Sequence, residues 1–303
     1  GVFGAERGTS IVEPVPSEQL WWADGRFKGK KVLITEDNSI NQQIVTELLK
    51  DAGLVTDVAD NGQECLIKIQ AFDYDLVLMD VQMPVMDGHT ASERIRESGL
   101  SMPIIAMTAH VLPAEKAKSR QAGMNDQVNK PLDPEQLFNV LGKWLEVEVG
   151  GELEEKWQVL NHSPDQDSSA ENDELSRSPL LDFEQALTRL SGNRELYIKL
   201  LSDFLEEFRD YMQPMLSDLN ENEIPALRDR AHGLKGVAGN LALERLKGAA
   251  SVVEQLTGVE NSSSDALRSA LLRLQACLNE TCQAIDTKLA VNPLDLEQDT
   301  VQG

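Results

Sequence analysis

Between Lys31 and Trp144 short apolar runs alternate with longer amphipathic stretches, and the alternation repeats five times. The runs are near-continuous in Val, Ile, Leu and Met, as expected of strands buried on both faces, while the stretches between them place apolar residues at helical spacing. The pattern predicts strands at 31–35, 55–59, 75–79, 104–107 and 127–129, and helices at 39–52, 63–71, 88–97, 114–122 and 134–146. Strictly alternating strands and helices predict an α/β fold, a doubly wound parallel sheet covered on both sides. Gly53, Gly99 and Gly123 each follow a helix, where positive φ closes the last turn. After Pro179 the two-residue period disappears, and helices are expected at 182–190, 194–219, 223–240, 242–257 and 264–288, an all-α four-helix bundle with a short leading helix.

The segments around these patterns lack periodicity. Residues 1–29 carry Pro14, Pro16 and the pair Trp21-Trp22 and read as a connector. Residues 148–179 hold nine acids against two bases, a solvated flexible linker. The expected organisation is a connector at 1–29, an α/β domain at 30–147, the acidic linker at 148–179, a helical domain at 180–290 and a tail at 291–303.

Composition narrows the function. The 303 residues suit two domains, each with its own core, and the net charge of −23 excludes a nucleic-acid surface over most of the chain. No apolar run approaches the roughly 18 residues that span a bilayer, and the first ten residues lack a basic start and an apolar stretch. The chain reads as soluble and unexported, without membrane contact. Its three cysteines, Cys65, Cys277 and Cys282, indicate neither a disulfide framework nor a zinc site and read as reduced cytosolic thiols. No P-loop pattern occurs.

Ligands of open parallel sheets bind at the carboxyl ends of the strands. There the chain places Glu36-Asp37, Asp80, Thr108 and Lys130-Pro131. Three carboxylates in one place repel unless a cation lies between them, and a hard divalent ion with oxygen ligands, Mg²⁺, answers this. With Lys130, the charges then sum to zero before a phosphoryl anion arrives. Asp80 is the candidate nucleophile, Thr108 a donor to a phosphoryl oxygen, and Lys130 a counter-charge.

The stretches "VLITEDNSINQQIV", "DLVLMDVQMPVMDG", "PIIAMTAH" and "NKP" resemble the response-regulator receiver family in the form attached to hybrid sensor kinases. The resemblance implies a flavodoxin-like (βα)5 domain in which Glu36 and Asp37 are the acidic pair and Asp80 the phosphoacceptor. It also gives Gln82 a backbone carbonyl on the metal, and Lys130 the amine before a cis-proline. His110 and Gln82 occupy positions that modulate water access to the acyl phosphate. The family usually carries an aromatic three residues before the lysine, where this chain has Gln127.

In "LRDRAHGLKGVAGNLAL" Leu227, Ala231, Leu234, Ala238 and Leu241 form a core stripe, leaving His232, Lys235 and Gly236 on another face. Each of Gly233, Gly236 and Gly239 costs a helix about 1 kcal/mol relative to alanine, a cost that needs an offset. Gly236, one turn after His232, lets another protein approach the imidazole, so any side chain there is expected to hinder it, while Lys235 can hold phosphoryl oxygens. "AHGLKGVAGN" resembles the histidine-containing phosphotransfer family at His232, Lys235, Gly236 and Asn240, with Gly233 where a hydroxyl residue is commoner. His89, at a helix start, and His162, in the linker, read as surface residues.

Together the resemblances imply the C-terminal part of a hybrid sensor histidine kinase whose parent is anchored in the inner membrane, this portion being cytoplasmic. Phosphoryl groups are expected to pass from an upstream histidine kinase domain to Asp80, then to His232, then to a downstream response-regulator receiver. Two alternatives stand beside this. A phosphatase also uses an aspartyl nucleophile, Mg²⁺ and lysine, but expects an acid at the position of Gln82. An interaction or dimerisation module would leave both sites idle.

Overall fold

The computed structural model describes residues 21–109, 113–146, 179–259 and 263–290. The expectations for residues 1–20, most of the 148–179 linker, the 291–303 tail, His110 and His162 fall outside them.

Strands β1 (Lys31–Thr35), β2 (Val55–Ala59), β3 (Leu76–Asp80), β4 (Ile104–Thr108) and β5 (Asp126–Asn129) form one parallel sheet in the order β2-β1-β3-β4-β5. Between them run α1 (Ser39–Asp51), α2 (Gly62–Ala71), α3 (Gly88–Glu97), α4 (Pro113–Gln121) and α5 (Pro134–Trp144). Strand direction of travel reverses between β1 and β3, so the loops leaving these two strands diverge and open a crevice at their carboxyl ends. Strand β3 lies one residue later than expected and takes Asp80 as its last residue. Side-chain oxygens of Asn38, Asn61, Asp87 and Asp133 accept from first-turn amides of α1, α2, α3 and α5, which fixes where each helix starts.

The helical half contains α6 (Phe183–Arg189), α7 (Arg194–Phe208), α8 (Met212–Asn220), α9 (Ile224–Asn240), α10 (Glu244–Thr257) and α11 (Ser264–Ala290). The single helix expected at 194–219 is divided into α7 and α8. Pro214 has no N–H for the Asp210 carbonyl and its ring crowds that carbonyl, so the chain tightens, with Gln213 N donating to Asp210 O instead. The kinked α7–α8 arm, α9, α10 and α11 pack together as the bundle, with α6 against α7. Leu227, Ala231, Leu234, Ala238 and Leu241 are all fully buried in it.

Two departures from the sequence reading matter. Trp21–Asp24, placed in the connector, form a 3-10 turn; Trp22 stacks on Phe138 of α5 with ring centroids 4.9 Å apart, and Phe27 is fully buried beside it. The division between cores also runs through the sheet rather than between the halves. Leu33, Val77, Met79, Ile104 and Ala106 pack under α2 and α3, whereas Val32, Ile34, Leu76, Leu78, Ile105 and Met107 belong to a cluster that continues through α1 and α5 into the bundle.

Candidate functional site

The β1 and β3 ends bring Glu36, Asp37 and Asp80 together, with one carboxylate oxygen of each within 4.8 Å of the others. Lys130, after β5, lies between two of them, its Nζ 2.6 Å from Glu36 Oε2 and 2.6 Å from Asp80 Oδ2. Burial opposes its charge, but Asp80 and Glu36 outweigh that and push its pKa up. Burial, with repulsion from Asp80, pushes Glu36 up to about 7 against the pull of Lys130. The same two causes push Asp37, at the crevice mouth, up to about 6. Carboxylates reluctant to ionise this close together are what a divalent oxygen-ligand cation relieves, so the donor set fits Mg²⁺.

Other groups hold this arrangement. The amide of Gln82 donates to Asp80 Oδ1 at 3.1 Å, and Lys130 N donates to Thr108 O at 2.7 Å, tying β4 to the lysine. The Lys130–Pro131 peptide bond is cis. At the start of α3 a Cβ on Gly88 would lie 2.1 Å from the Asp80 carbonyl, so only glycine lets α3 pack against the strand end. Asn41, on the buried face of α1, donates from Nδ2 to Glu36 Oε1 at 2.8 Å. The sequence reading took Gly88 only as part of a helix start and gave Asn41 no role, although Asn41 shares its helix face with Val45 and Leu48.

On the bundle, His232 leaves the core stripe as expected. Its Nδ1 lies 2.7 Å from Glu254 Oε1 of α10, whose other oxygen accepts from Lys235 Nζ at 2.5 Å. Burial resists ionisation of Glu254, but hydrogen bonds from His232 and Lys235 prevail and hold it down at about 2. An ionised carboxylate only accepts, so Nδ1 carries a proton, which in the neutral ring leaves the lone pair on Nε2. Lys235, expected to hold phosphoryl oxygens, donates to Glu254 in this structure. Glu254 was missed, although it sits one turn after Ala250 on the apolar stripe of α10. His89, read as a surface residue, is 6% exposed and its Nε2 lies 3.0 Å from Ser119 Oγ, joining α3 to α4.

The two sites face each other across a cleft of about 780 Å³, lined by Glu36, Asp37, Asp80, Gln82, Thr108 and Lys130 on one side and His232, Gly233 and Gly236 on the other. Helix α1 packs against α7 and α9. Glu207 accepts from Asn38 Nδ2 at 2.8 Å and Ser39 Oγ at 3.2 Å, and Lys199 Nζ donates to Gln43 Oε1 at 2.6 Å. A Cβ on Gly236 would lie 3.7 Å from Asn41 Nδ2, an ordinary contact, so alanine fits where any side chain was expected to obstruct.

A parallel sheet in this order, an acid trio with a lysine at its switch point and a histidine bundle docked over it define the chain as a paired two-component signalling module. Residues 32–142 match the response regulator receiver domain and residues 199–286 the Hpt domain. Two-component response regulator ORR41 of Oryza sativa subsp. japonica is 44% identical over 118 residues, covering 38% of this chain and 93% of that protein. The chain therefore belongs to the response regulator receiver family and carries an Hpt domain beside it. Sensor histidine kinase GacS of Pseudomonas protegens is 31% identical over 259 residues, 82% of this chain and 27% of that protein. Signal transduction histidine-protein kinase BarA of Escherichia coli K12 is 31% identical over 231 residues, 74% and 23%. The chain thus spans about a quarter of the length of these two kinases.

Proposed function

We propose that Asp80 accepts a phosphoryl group and passes it to His232, within a receiver unit at 30–147 and a phosphotransfer unit at 180–290. The observation that carries this reading is the single cleft onto which both residues open. An Asp80 carboxylate oxygen attacks phosphorus as the donor's bond to it breaks, the leaving atom being the imidazole nitrogen of a phosphohistidine or the carboxylate oxygen of acetyl phosphate. His232 Nε2 then attacks the same phosphorus, the bond to Asp80 breaks, and the carboxylate is regenerated. The imidazole becomes positive as its new N–P bond forms, and the Glu254 carboxylate on Nδ1 balances that charge. Lys130 and Thr108 face the phosphoryl oxygens on Asp80. Glu36, Asp37 and Asp80, with the carbonyl of Gln82, would hold Mg²⁺, which supplies positive charge to the phosphoryl group. Positioning and charge do the remaining work.

In this reading the phosphoryl group arrives from an upstream histidine kinase domain and leaves His232 for a separate response-regulator receiver. No helix among the described residues is long and apolar enough to cross a membrane, and we place this portion on the cytoplasmic side of a parent anchored in the inner membrane. A phosphatase reading lacks its general acid, because Gln82 stands at that position.

Radiolabelled acetyl phosphate tests the scheme. Label is expected on wild type only with Mg²⁺, on Asp80 alone in His232→Gln, and nowhere in Asp80→Asn. Undiminished labelling of Asp80→Asn would refute the assignment.

A further inference from the structure

Three hydrogen bonds run in one continuous direction from the segment after Lys130, through Asn240 of the bundle, and back into the acid site. The Leu132 amide donates to Asn240 Oδ1 at 3.0 Å, Asn240 Nδ2 donates to Asn41 Oδ1 at 2.8 Å, and Asn41 Nδ2 donates to Glu36 Oε1 at 2.8 Å. Asn240 is 2% exposed and Asn41 3% exposed, so neither amide has ready access to water in place of its partner. The chain ends on a carboxylate, which fixes its polarity: Glu36 takes the NH₂ end of Asn41, and only the oxygen end is left for Asn240. Reversing Asn41 would set its oxygen against Glu36 and its NH₂ against the NH₂ of Asn240. The Leu132 N–H lies two residues beyond Lys130, so one side chain of the bundle spans the two segments that carry Glu36 and Lys130.

We propose that Asn240 is a positioning residue that selects the receiver: the bundle docks on a domain presenting an α1 amide in the place of Asn41, oriented by the first acid of the site, and a free backbone N–H two residues after the lysine. This deepens the phosphotransfer reading and rests on it for its consequence. Recognition then depends on an intact acid site, because the feature Asn240 reads is held in place by Glu36. A receiver with an apolar residue at this α1 position would leave the Asn240 NH₂ buried and unpaired, which is costly. His232 is thereby brought only to domains able to supply or accept a phosphoryl group. Gly236 and Gly239 line the same contact: Cβ atoms on them would lie 3.7 Å from Asn41 Nδ2 and 3.6 Å from Pro131 Cβ, ordinary van der Waals distances.

The test uses full chains mixed in pairs, a phosphorylated His232→Gln donor that also carries Asn240→Ala and an Asp80→Asn acceptor that also carries Asn41→Ala, so that neither chain's own two units make the Asn41–Asn240 bond; Asn41→Ala is then introduced in the donor, Asn240→Ala in the acceptor, or both. Each single change is expected to raise the half-saturating concentration for transfer about tenfold, the loss of one buried hydrogen-bond pair, with the effect on binding rather than on the saturated rate. The double change should raise it little beyond either single one, because both remove the same interaction. Multiplicative effects, or an unchanged half-saturating concentration, would overturn the proposal. Hydrogen exchange at the Leu132 amide gives a readout independent of transfer and should quicken about tenfold in a full chain carrying Asn240→Ala. If the wild-type pair transfers nothing, the phosphotransfer reading fails while Leu132 exchange still decides the Asn240 contact. If Asn240→Ala fails to fold, Asn240→Asp, which still accepts from Leu132 N but cannot donate to Asn41 Oδ1, takes its place in both chains with the same expectation.

Discussion

Replacing Glu254 with glutamine keeps its volume and removes its charge. The carboxyl is held at about 2 against an ordinary 4.5, by His232 and Lys235 acting against burial. Fully realised, a shift of that size corresponds to roughly 3 kcal/mol of folding stability. The pair borders an open cleft, and solvent screening reduces the expectation to about 2 kcal/mol. Because the folded pKa is depressed, this contribution is complete above pH 4.5 and is lost as pH falls toward 2. Urea unfolding followed by helical circular dichroism should therefore show Glu254→Gln about 2 kcal/mol less stable than wild type at pH 7, and less than half as far below it at pH 3. Glutamine accepts or donates, so it no longer selects the Nδ1–H tautomer of His232, and single-turnover phosphorylation of the histidine should slow on the order of tenfold. Equal destabilisation at both pH values would refute the electrostatic account. Unchanged transfer in a folded variant would refute the tautomer argument.

Gly88→Ala should destabilise the receiver half by about 3 kcal/mol and displace Asp80, read by thermal melting and by loss of acetyl phosphate labelling, because its Cβ would meet backbone rather than a side-chain end. Gly236→Ala should stabilise the bundle by up to about 1 kcal/mol and leave transfer intact, while Gly236→Leu should fold but transfer poorly; stopped-flow transfer and melting on the same preparations separate the two. Glu36 has its folded pKa raised to about 7, so its contribution is full below pH 4.5 and is lost as pH rises through 7. Metal-free protein should lose stability between pH 5 and 8, Mg²⁺ should restore it, and Glu36→Gln should flatten the difference in a melting series.

What could be read before folding was chemistry that one element carries alone. Asp80, Thr108 and Lys130 each end a strand, and the alternation of strands and helices already placed them on one rim. His232 stood out because its neighbours formed a core stripe on a different face. Glu254 and Asn41 could not be read this way, since their partners lie on other elements, 22 and 199 residues away for His232 and Asn240 respectively. Each nevertheless left a trace, a polar residue on an apolar helix face. Trp22 was lost among turn-forming neighbours, because a single buried ring has no period. The bend at Asp210 was legible in Pro214, but a proline in the first turn of a following helix produces the same composition as one inside a continuous helix.

Helix α9 presents one histidine through one face, and in this structure the chain's own receiver covers it. In the proposed relay a visiting receiver needs that same face, so the two are mutually exclusive occupants of a single berth. A partner carried on the same chain meets its berth at an effective concentration that can reach the order of millimolar, far above that of a dilute, freely diffusing competitor. Delivery outward is thus limited by how often the resident lets go, and a weak resident contact is an asset. Polar bonds such as Lys199 to Gln43 and Asn38 to Glu207 at the edge of the contact suit such a turnstile, because water can replace them each time the gate swings.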